Sequence, residues 1–505
     1  MAKCIEKTPE NFENAVTKTG FGKFNLYVLL IGGGCVMAVI METMGMMFII
    51  PAAVCDLDLD LTSKGLLASI SFLGVVSSSH IWGFLADTRG RRDVLLTSMM
   101  LGFLTSVLSS LAPNAWSFIL IRYFNGFFIG GASAVVYAYV GEFHNNLNRP
   151  KIVSWIATFV ALGNVMLPAL SWIILPLDFK IDLHLGYEFR SWRLLVISIG
   201  SPSLLFSIGL YFLPESPKCL LSLGKFDEAL QALKKMYACN TGNEIESFPV
   251  STIIWDEERK VDEYTKSGIL KSVVKQTAPL FKFPYLTKTF MVCLLQFGTF
   301  ASSSGLFMWY PEILNNIEQY SSDITICEAL GNHNQSNKDE IRLESINCAD
   351  SIDNAVYESS LIIGGTLALL YMVIGSIITI VGGKNLLVLF FIVTSACGIA
   401  AQLTQGHLLI KILMGIFLMA SSCVGIINTL VVELYPTHLR GMALAISLMA
   451  GRFGAVAGSY ITGQLIYKLC DFTFYIFGLD HLILIITTIL LPTSPLINKL
   501  IEPMT

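Results

Sequence analysis

Residues 83–96 read GFLADTRGRRDVLL, a charged joint set between two long apolar runs. Short cytoplasmic loops of membrane proteins collect lysine and arginine. That tendency accounts for Arg89, Arg91 and Arg92, but not for Asp87, the two glycines or their spacing. Gly83 is expected to let its helix approach a neighbour closely, Asp87 to sit at the end of that helix, and Gly90 to make the tight turn that carries the arginines.

The flanking runs, 65–86 and 94–112, can each cross ~30 Å of hydrocarbon, which takes about 20 apolar residues. Similar runs lie at 25–51, 117–140, 152–175 and 193–213, then at 288–311, 357–381, 385–404, 407–431, 443–466 and 473–492. The expected fold is an all-α membrane protein of twelve transmembrane helices. Composition agrees: of 505 residues, 54% are hydrophobic and 14% charged, against roughly 25% charged in a soluble chain. A net charge of −4 argues against a nucleic-acid partner. No phosphate-binding loop, nucleophile–base set or metal-ligand spacing stands out, so neither an ATP-driven pump nor an enzyme is expected, and no cofactor or metal.

Lysine and arginine gather on one side: Lys18 and Lys23, the 83–96 loop, Arg149 and Lys151, the segment 218–288, Lys384, Arg440 and Lys499. The other side receives Asp56, Asp58, Asp60 and the acidic loop 312–356. Both termini are then cytoplasmic. The expected organisation is a cytoplasmic segment 1–24, a six-helix bundle 25–213, a cytoplasmic central loop 214–287, a second bundle 288–492 and a tail 493–505. Residues 1–24 are polar, and the first apolar run lacks a cleavage site, so it reads as a helix that is retained. Within the central loop, 225–237 forms an amphipathic helix with Phe226, Ala229, Leu230 and Leu233 on its apolar face. In the 312–356 loop, which faces an oxidising compartment, Cys327 and Cys348 form a candidate disulfide and Asn334 begins a glycosylation sequon. Two unpaired thiols and an unmodified asparagine are the alternatives.

The two bundles carry a matching signature. GEFHNNLNR ends the fourth run and VELYPTHLR the tenth, so that Glu142 precedes Arg149, and Glu433 precedes Arg440, by the same interval. Six plus six helices with this repeat make two pseudo-repeats, a plan that places a site between the halves near the midplane.

The pattern G-x-L-A-D-x-x-G-R-R resembles the signature loop of the major facilitator superfamily. The stretches PESPKCLLSLGKFDEALQAL, RSWRLLV and GLFMWYP narrow the resemblance to the synaptic vesicle glycoprotein 2 branch, over about residues 20–495. It implies secondary transport of a small solute by a monomeric unit, with Asp87 and Arg89 in a charge relay that gates the halves and does not touch solute. The second-half counterpart, VGGKNLL, keeps Lys384 but lacks the aspartate, so gating charge is expected to be lopsided. AVIME keeps Glu42 where that branch has an acidic pair, with Val39 in the aspartate's place. The 312–356 loop is also much shorter than theirs. A hexose porter is disfavoured by the absence of Q-L-S after Gln296.

Ionisable groups inside a bilayer are costly and so are functional candidates. Glu42 is either a protonatable coupling carboxyl or a structural one bonded to a neighbouring helix. Arg122 pairs with Glu42, binds an anionic solute or snorkels outward. Arg452 is expected to meet Glu142 or Glu433. By analogy with cavity-lining spans one, four, seven and ten, Asn125, Tyr137, Gln296, Ser303, Ser304, Trp309 and Asn428 are candidate solute contacts, with packing the alternative for each. The expected partners are the lipid bilayer, a small organic solute and a coupling proton. Plasma and vesicle membranes both fit, and a transporter-shaped binding or trafficking protein is the rival function.

Overall fold

The computed structural model describes residues 8–182, 188–255, 277–319, 324–331 and 352–492. Twelve helices fill the twelve expected places. In the first half these are α1 (Lys23–Leu57), α2 (Leu61–Arg89), α3 (Arg91–Ser110), α4 (Ala115–Glu142), α5 (Arg149–Ile174) and α6 (Ser191–Phe212). The second half has α7 (Leu286–Glu318), α8 (Asn354–Val381), α9 (Gly383–Leu403), α10 (His407–Leu434), α11 (Thr437–Lys468) and α12 (Cys470–Leu490). Eleven are long and apolar enough to cross a membrane, while the apolar part of α5 is the shorter Thr158–Ile174. Capping side chains fix several starts. Asp60 accepts from the Ser63 amide at 2.9 Å, and Asn114 from the Ser117 amide at 2.9 Å.

Two helices overrun their expected ends. Helix α1 continues past residue 51 because Ala53 and Leu57 remain buried, and α7 passes Pro311 because Ile313, Leu314 and Ile317 are buried beyond it. The loop expected from 312 therefore begins after Glu318.

Each half contains one helix pair in very close contact. In the first, a Cβ on Gly126 of α4 would stand 2.1 Å from the Ser71 carbonyl of α2. In the second, a Cβ on Gly458 of α11 would stand 2.1 Å from the Ala301 carbonyl of α7. Only glycine permits either approach. Gly83, expected to serve this purpose, has nothing within 4 Å of its would-be Cβ. The close approach lies higher in α2, where Gly74 and Ser71 meet α4.

The apolar core is distributed unevenly along the helices. At the acidic end one cluster joins both halves, running from Phe48 and Ala53 through Trp192 to Ile313, Tyr357 and Phe477. At the basic end there are two clusters, one built from the first half alone and one from the second. Across the acidic end Lys64 of α2 meets Glu312 of α7 at 2.6 Å, and the Trp172 indole of α5 donates to Asn354 of α8 at 3.0 Å. The halves are thus closed against each other at one end and separate at the other.

Short elements complete the chain. Strand β1 (Thr8–Asn11) precedes helix Phe12–Lys18, and β2 (Ile181–Asp182) pairs antiparallel with β3 (Glu188–Phe189). Strand β4 (Val250–Ile254) runs parallel to β1, with Thr8 opposite Val250. The amphipathic helix spans Phe226–Thr241 and buries Ala229, Ala232, Leu233 and Met236, while Phe226 is 37% exposed and stands off the expected face. Its Asn240 side chain donates to the carbonyls of Thr19 and Gly20 and accepts from the Phe24 amide at 3.0 Å.

The disulfide differs from the expectation. Cys327 is bonded to Cys470 at the start of α12, with 5.6 Å between Cα atoms, and not to Cys348. Ile326, Ala329 and Leu330 anchor that part of the loop in the shared apolar cluster, which brings Cys327 to α12. Cys55, at the same end, is also disulfide-bonded. Cys348 and Asn334 lie outside the described residues.

Candidate functional site

At the basic end the signature loop folds around a carboxylate that sequence reading passed over. Gly90 has φ +123°, and a Cβ there would lie 2.4 Å from Glu215 Oε2. Glu215, from the PESP stretch, accepts from the amides of Arg91 and Arg92 at 2.9 and 3.0 Å. The Arg91 guanidinium forms an ion pair with Glu142 at 2.8 Å, and the Ser216 hydroxyl donates to the same carboxylate. The charged contacts of the loop thus run through Arg91, Glu142 and Ser216. Asp87, with its side chain 71% exposed, stands 3.7 Å from Arg91, and Arg89 is exposed. All of these groups belong to the first half or to the segment just after it.

The repeat is visible in contacts as well as in letters. Arg149 donates to the carbonyl of His144 at 3.2 Å, and Arg440 to that of Tyr435 at 2.9 Å, each five residues upstream. Arg92 donates to Leu210 and Tyr211 carbonyls at the end of α6, and Lys384 to Ile489 and Leu491 carbonyls at the end of α12. A cation at a helix C-terminus satisfies orphan carbonyls and opposes the helix dipole. The signature glutamate and arginine do not pair with each other. Arg149 reaches Glu13 at 3.2 Å, while Glu433 is exposed with no partner among the described residues. Beside Arg149, His144 is buried with Nδ1 2.8 Å from the Val140 carbonyl, and burial pushes its pKa down.

Within the membrane span, Arg122 pairs with Glu42 at 3.0 Å and donates to the Glu42 carbonyl at 2.6 Å, both side chains fully buried. Ser106 of α3 donates to the same carboxylate oxygen at 3.3 Å. Asn125 is buried beside them and donates to the Gly102 carbonyl at 3.0 Å. This polar group sits among α1, α3, α4 and α6, inside the first bundle. Arg193, in the RSWRLLV stretch, was not singled out, yet it is fully buried against Asp56 at 2.8 Å and donates to carbonyls of Ser110 and Ala112 at the end of α3.

The second half is chemically different. Gln296 is buried and donates to Asn428 at 2.7 Å. Ser303 donates to the Thr299 carbonyl, Ser304 is buried, and the Trp309 indole donates to the Ser459 carbonyl at 2.8 Å. These four are held in packing between helices; Tyr137 of α4, by contrast, is 38% exposed. Also passed over were Asp480 and His481 on α12. His481 bridges the Ser302 and Thr394 hydroxyls at 3.1 and 3.0 Å and stacks on Phe417. Their signal was an adjacent acid and histidine inside an apolar run.

Arg452 does not meet Glu142 or Glu433. It lies partway along α11, roughly 22 Å from the helix start at 1.5 Å per residue, too far for acids at the basic end. It donates instead to Ser79 of α2 at 2.6 Å and to Ser133 of α4 at 2.7 Å, and interacts electrostatically with the Tyr137 phenol. Arg452, Ser79, Ser133 and Tyr137, with Tyr371 of α8 close to Tyr137, form a polar group that joins the halves away from the acidic end.

Comparison with known proteins agrees with this architecture. The family model described as Major Facilitator Superfamily matches residues 33–330. Human synaptic vesicle glycoprotein 2B is 29% identical over 343 residues, covering 64% of this chain and 50% of that protein. Rat synaptic vesicle glycoprotein 2C is 29% identical over 331 residues, covering 62% and 46%. The chain thus spans about half the length of the curated relatives it matches. Among solved structures, the inward-open xylose transporter XylE from E. coli superposes with a TM-score of 0.67 at 16% identity, covering 93% of this chain and 97% of that one. A nucleoside transporter, NupG, superposes at 0.61 and 13% identity. With two six-helix repeats, the signature loop and the family match together, the chain belongs to the Major Facilitator Superfamily, and within it is similar to the synaptic vesicle glycoprotein 2 proteins.

Proposed function

We propose that this protein is a secondary transporter that carries a small polar organic solute by alternating access, with both termini in the cytoplasm. The observation that carries the reading is the asymmetry of the core. One apolar cluster seals the halves at the acidic end, and two separate clusters leave them apart at the basic end. A solute would enter from the basic, cytoplasm-facing side in this state. Rocking the halves about the central seam would open the other. Positive-inside charge supplies the orientation. The gating role falls to Arg91, Glu142 and Ser216, and Glu42 is the carboxyl through which a proton gradient would act.

The test is uptake into proteoliposomes of labelled sugars, organic cations, organic anions and amino acids, with and without an imposed pH gradient, beside Glu42→Gln. Flux that needs the gradient and disappears in Glu42→Gln identifies proton coupling. Flux indifferent to both leaves Glu42 as a structural partner of Arg122. A second reading, a binding or trafficking protein with little flux, draws on the exposed Glu433, which has no partner among the described residues, and on the capping role of Lys384. Silence across the panel from folded protein would favour it.

A further inference from the structure

Nearly every described cation that is buried or half-buried inside or at the acidic ends of the membrane helices has a carboxylate. Arg122 has Glu42, Arg193 has Asp56, Lys64 has Glu312 and Lys411 has Glu318. Arg452 is the exception. Its partners are two serine hydroxyls, which fill two of the five guanidinium N–H positions and supply no opposite charge. Holding such a charge in a membrane protein without a counter-ion is costly, and it persists where function requires it. Asp480 of α12 also has no ionic partner among the described residues, but it stands beside Gly298 of α7 and forms no ion pair with Arg452.

The location of Arg452 gives that charge a use. It extends from α11 of the second half to α2 and α4 of the first, partly open to the space between them. Tyr137, one turn along α4 from Ser133, presents a half-exposed ring and a hydroxyl beside it. We infer that the solute is an organic anion, its carboxylate taken by the Arg452 guanidinium and its body laid against Tyr137. The inference rests on the transport reading for calling the ligand a solute. A carboxylate fits the planar fork of arginine through two parallel hydrogen bonds, which serine hydroxyls cannot imitate. A cation would be repelled, and a neutral sugar would leave the charge uncompensated. Because Ser79 and Ser133 belong to the opposite half, an anion that displaces them exchanges inter-half bonds for solute bonds, so loading loosens the seam that must move.

The experiment is a thermal shift of the purified full-length protein with benzoate, succinate, tetraethylammonium and glucose at matched ionic strength. Benzoate or succinate should raise the melting temperature with saturation, and tetraethylammonium and glucose should not. Arg452→Gln should abolish the shift. Arg452→Lys should weaken it by roughly tenfold in concentration, since charge remains but the fork is lost. Should Arg452→Gln fail to fold, Ser79→Ala/Ser133→Ala carries the test, because freeing the guanidinium should tighten anion binding. No anion shift in the wild type, an undiminished shift in Arg452→Gln, or unchanged affinity in the serine pair would overturn the inference. Anion binding without proteoliposome uptake would keep it and sink the transport reading. Uptake of glucose or tetraethylammonium that survives Arg452→Gln would do the reverse.

Discussion

The two halves share a repeat but bury their polar groups by different chemistry. The first uses ion pairs: Glu42 with Arg122, Asp56 with Arg193, and Arg91 with Glu142. The second, apart from the half-buried Lys411–Glu318 pair at its acidic end, uses neutral contacts, with Gln296 on Asn428, His481 between Ser302 and Thr394, and Trp309 on the Ser459 carbonyl. Their tightest helix pairs are not equivalent either, being α2 with α4 in one half and α7 with α11 in the other. Breaking a buried ion pair leaves a stranded charge, whereas neutral contacts re-form cheaply. On this contrast the first half is expected to be the harder to disrupt, and the second carries Arg452, the charge that the proposed anion would complete.

Removing one arginine from each half should separate these chemistries most widely. Arg122→Leu strands the Glu42 carboxylate and should cost about 3–5 kcal/mol, seen as loss of folded protein or a large fall in melting temperature. Glu42→Gln/Arg122→Gln should recover part of it. Arg452→Gln should melt close to wild type, and equal losses from the two single substitutions would erase the contrast. Next in size are the glycine seams. Gly126→Val and Gly458→Val should each cost about 1–3 kcal/mol or more through overpacking, whereas Gly83→Ala should leave melting unchanged.

A smaller difference is expected at the basic end. Glu142→Gln removes the counter-charge of Arg91 and should cost about 1–3 kcal/mol, together with a change in accessibility of cysteines introduced along the opening. Glu433→Gln, its repeat partner, should change neither, and matching effects would mean the second half is gated too. The smallest effect is a pH response confined to the first half. Burial lowers the pKa of His144 below its unfolded value of about 6.5. In acid the unfolded chain therefore takes up a proton that the folded chain refuses. Stability is complete above that value and falls as pH drops below it. His144→Gln should flatten the dependence. The same slope in wild type and variant would assign it to another group.

Length and hydropathy made the twelve helices legible, because an unbroken apolar run has few other readings. Charge placement separated the two ends, and the spacing from Glu142 to Arg149 revealed the repeat. What remained hidden was rotation. Helices that are apolar on most sides carry little pattern to show which side meets which neighbour. Glu42 and Arg122 stood out as costly, yet their partnership was one of several readings. Trp309 and Gln296 looked suited to a ligand but turn into neighbouring helices. Arg452 was matched to acids of opposite charge, when its distance along α11 puts serines in reach. The Cys327–Cys470 bond joins residues 143 positions apart, a proximity that loop spacing cannot express.

The clasp of Asn240 on residues 19–24 and the pairing of β1 with β4 fasten the amino-terminal segment and the start of the central segment to the first half. On the other side of the central segment, Leu280 is buried in the apolar cluster of the second half and its carbonyl accepts from the Thr289 hydroxyl at 3.0 Å. Each half thus holds its own end of that segment. Under the proposed alternating access, a label near residue 8 would therefore follow the first half throughout the stroke, and one near Leu280 the second.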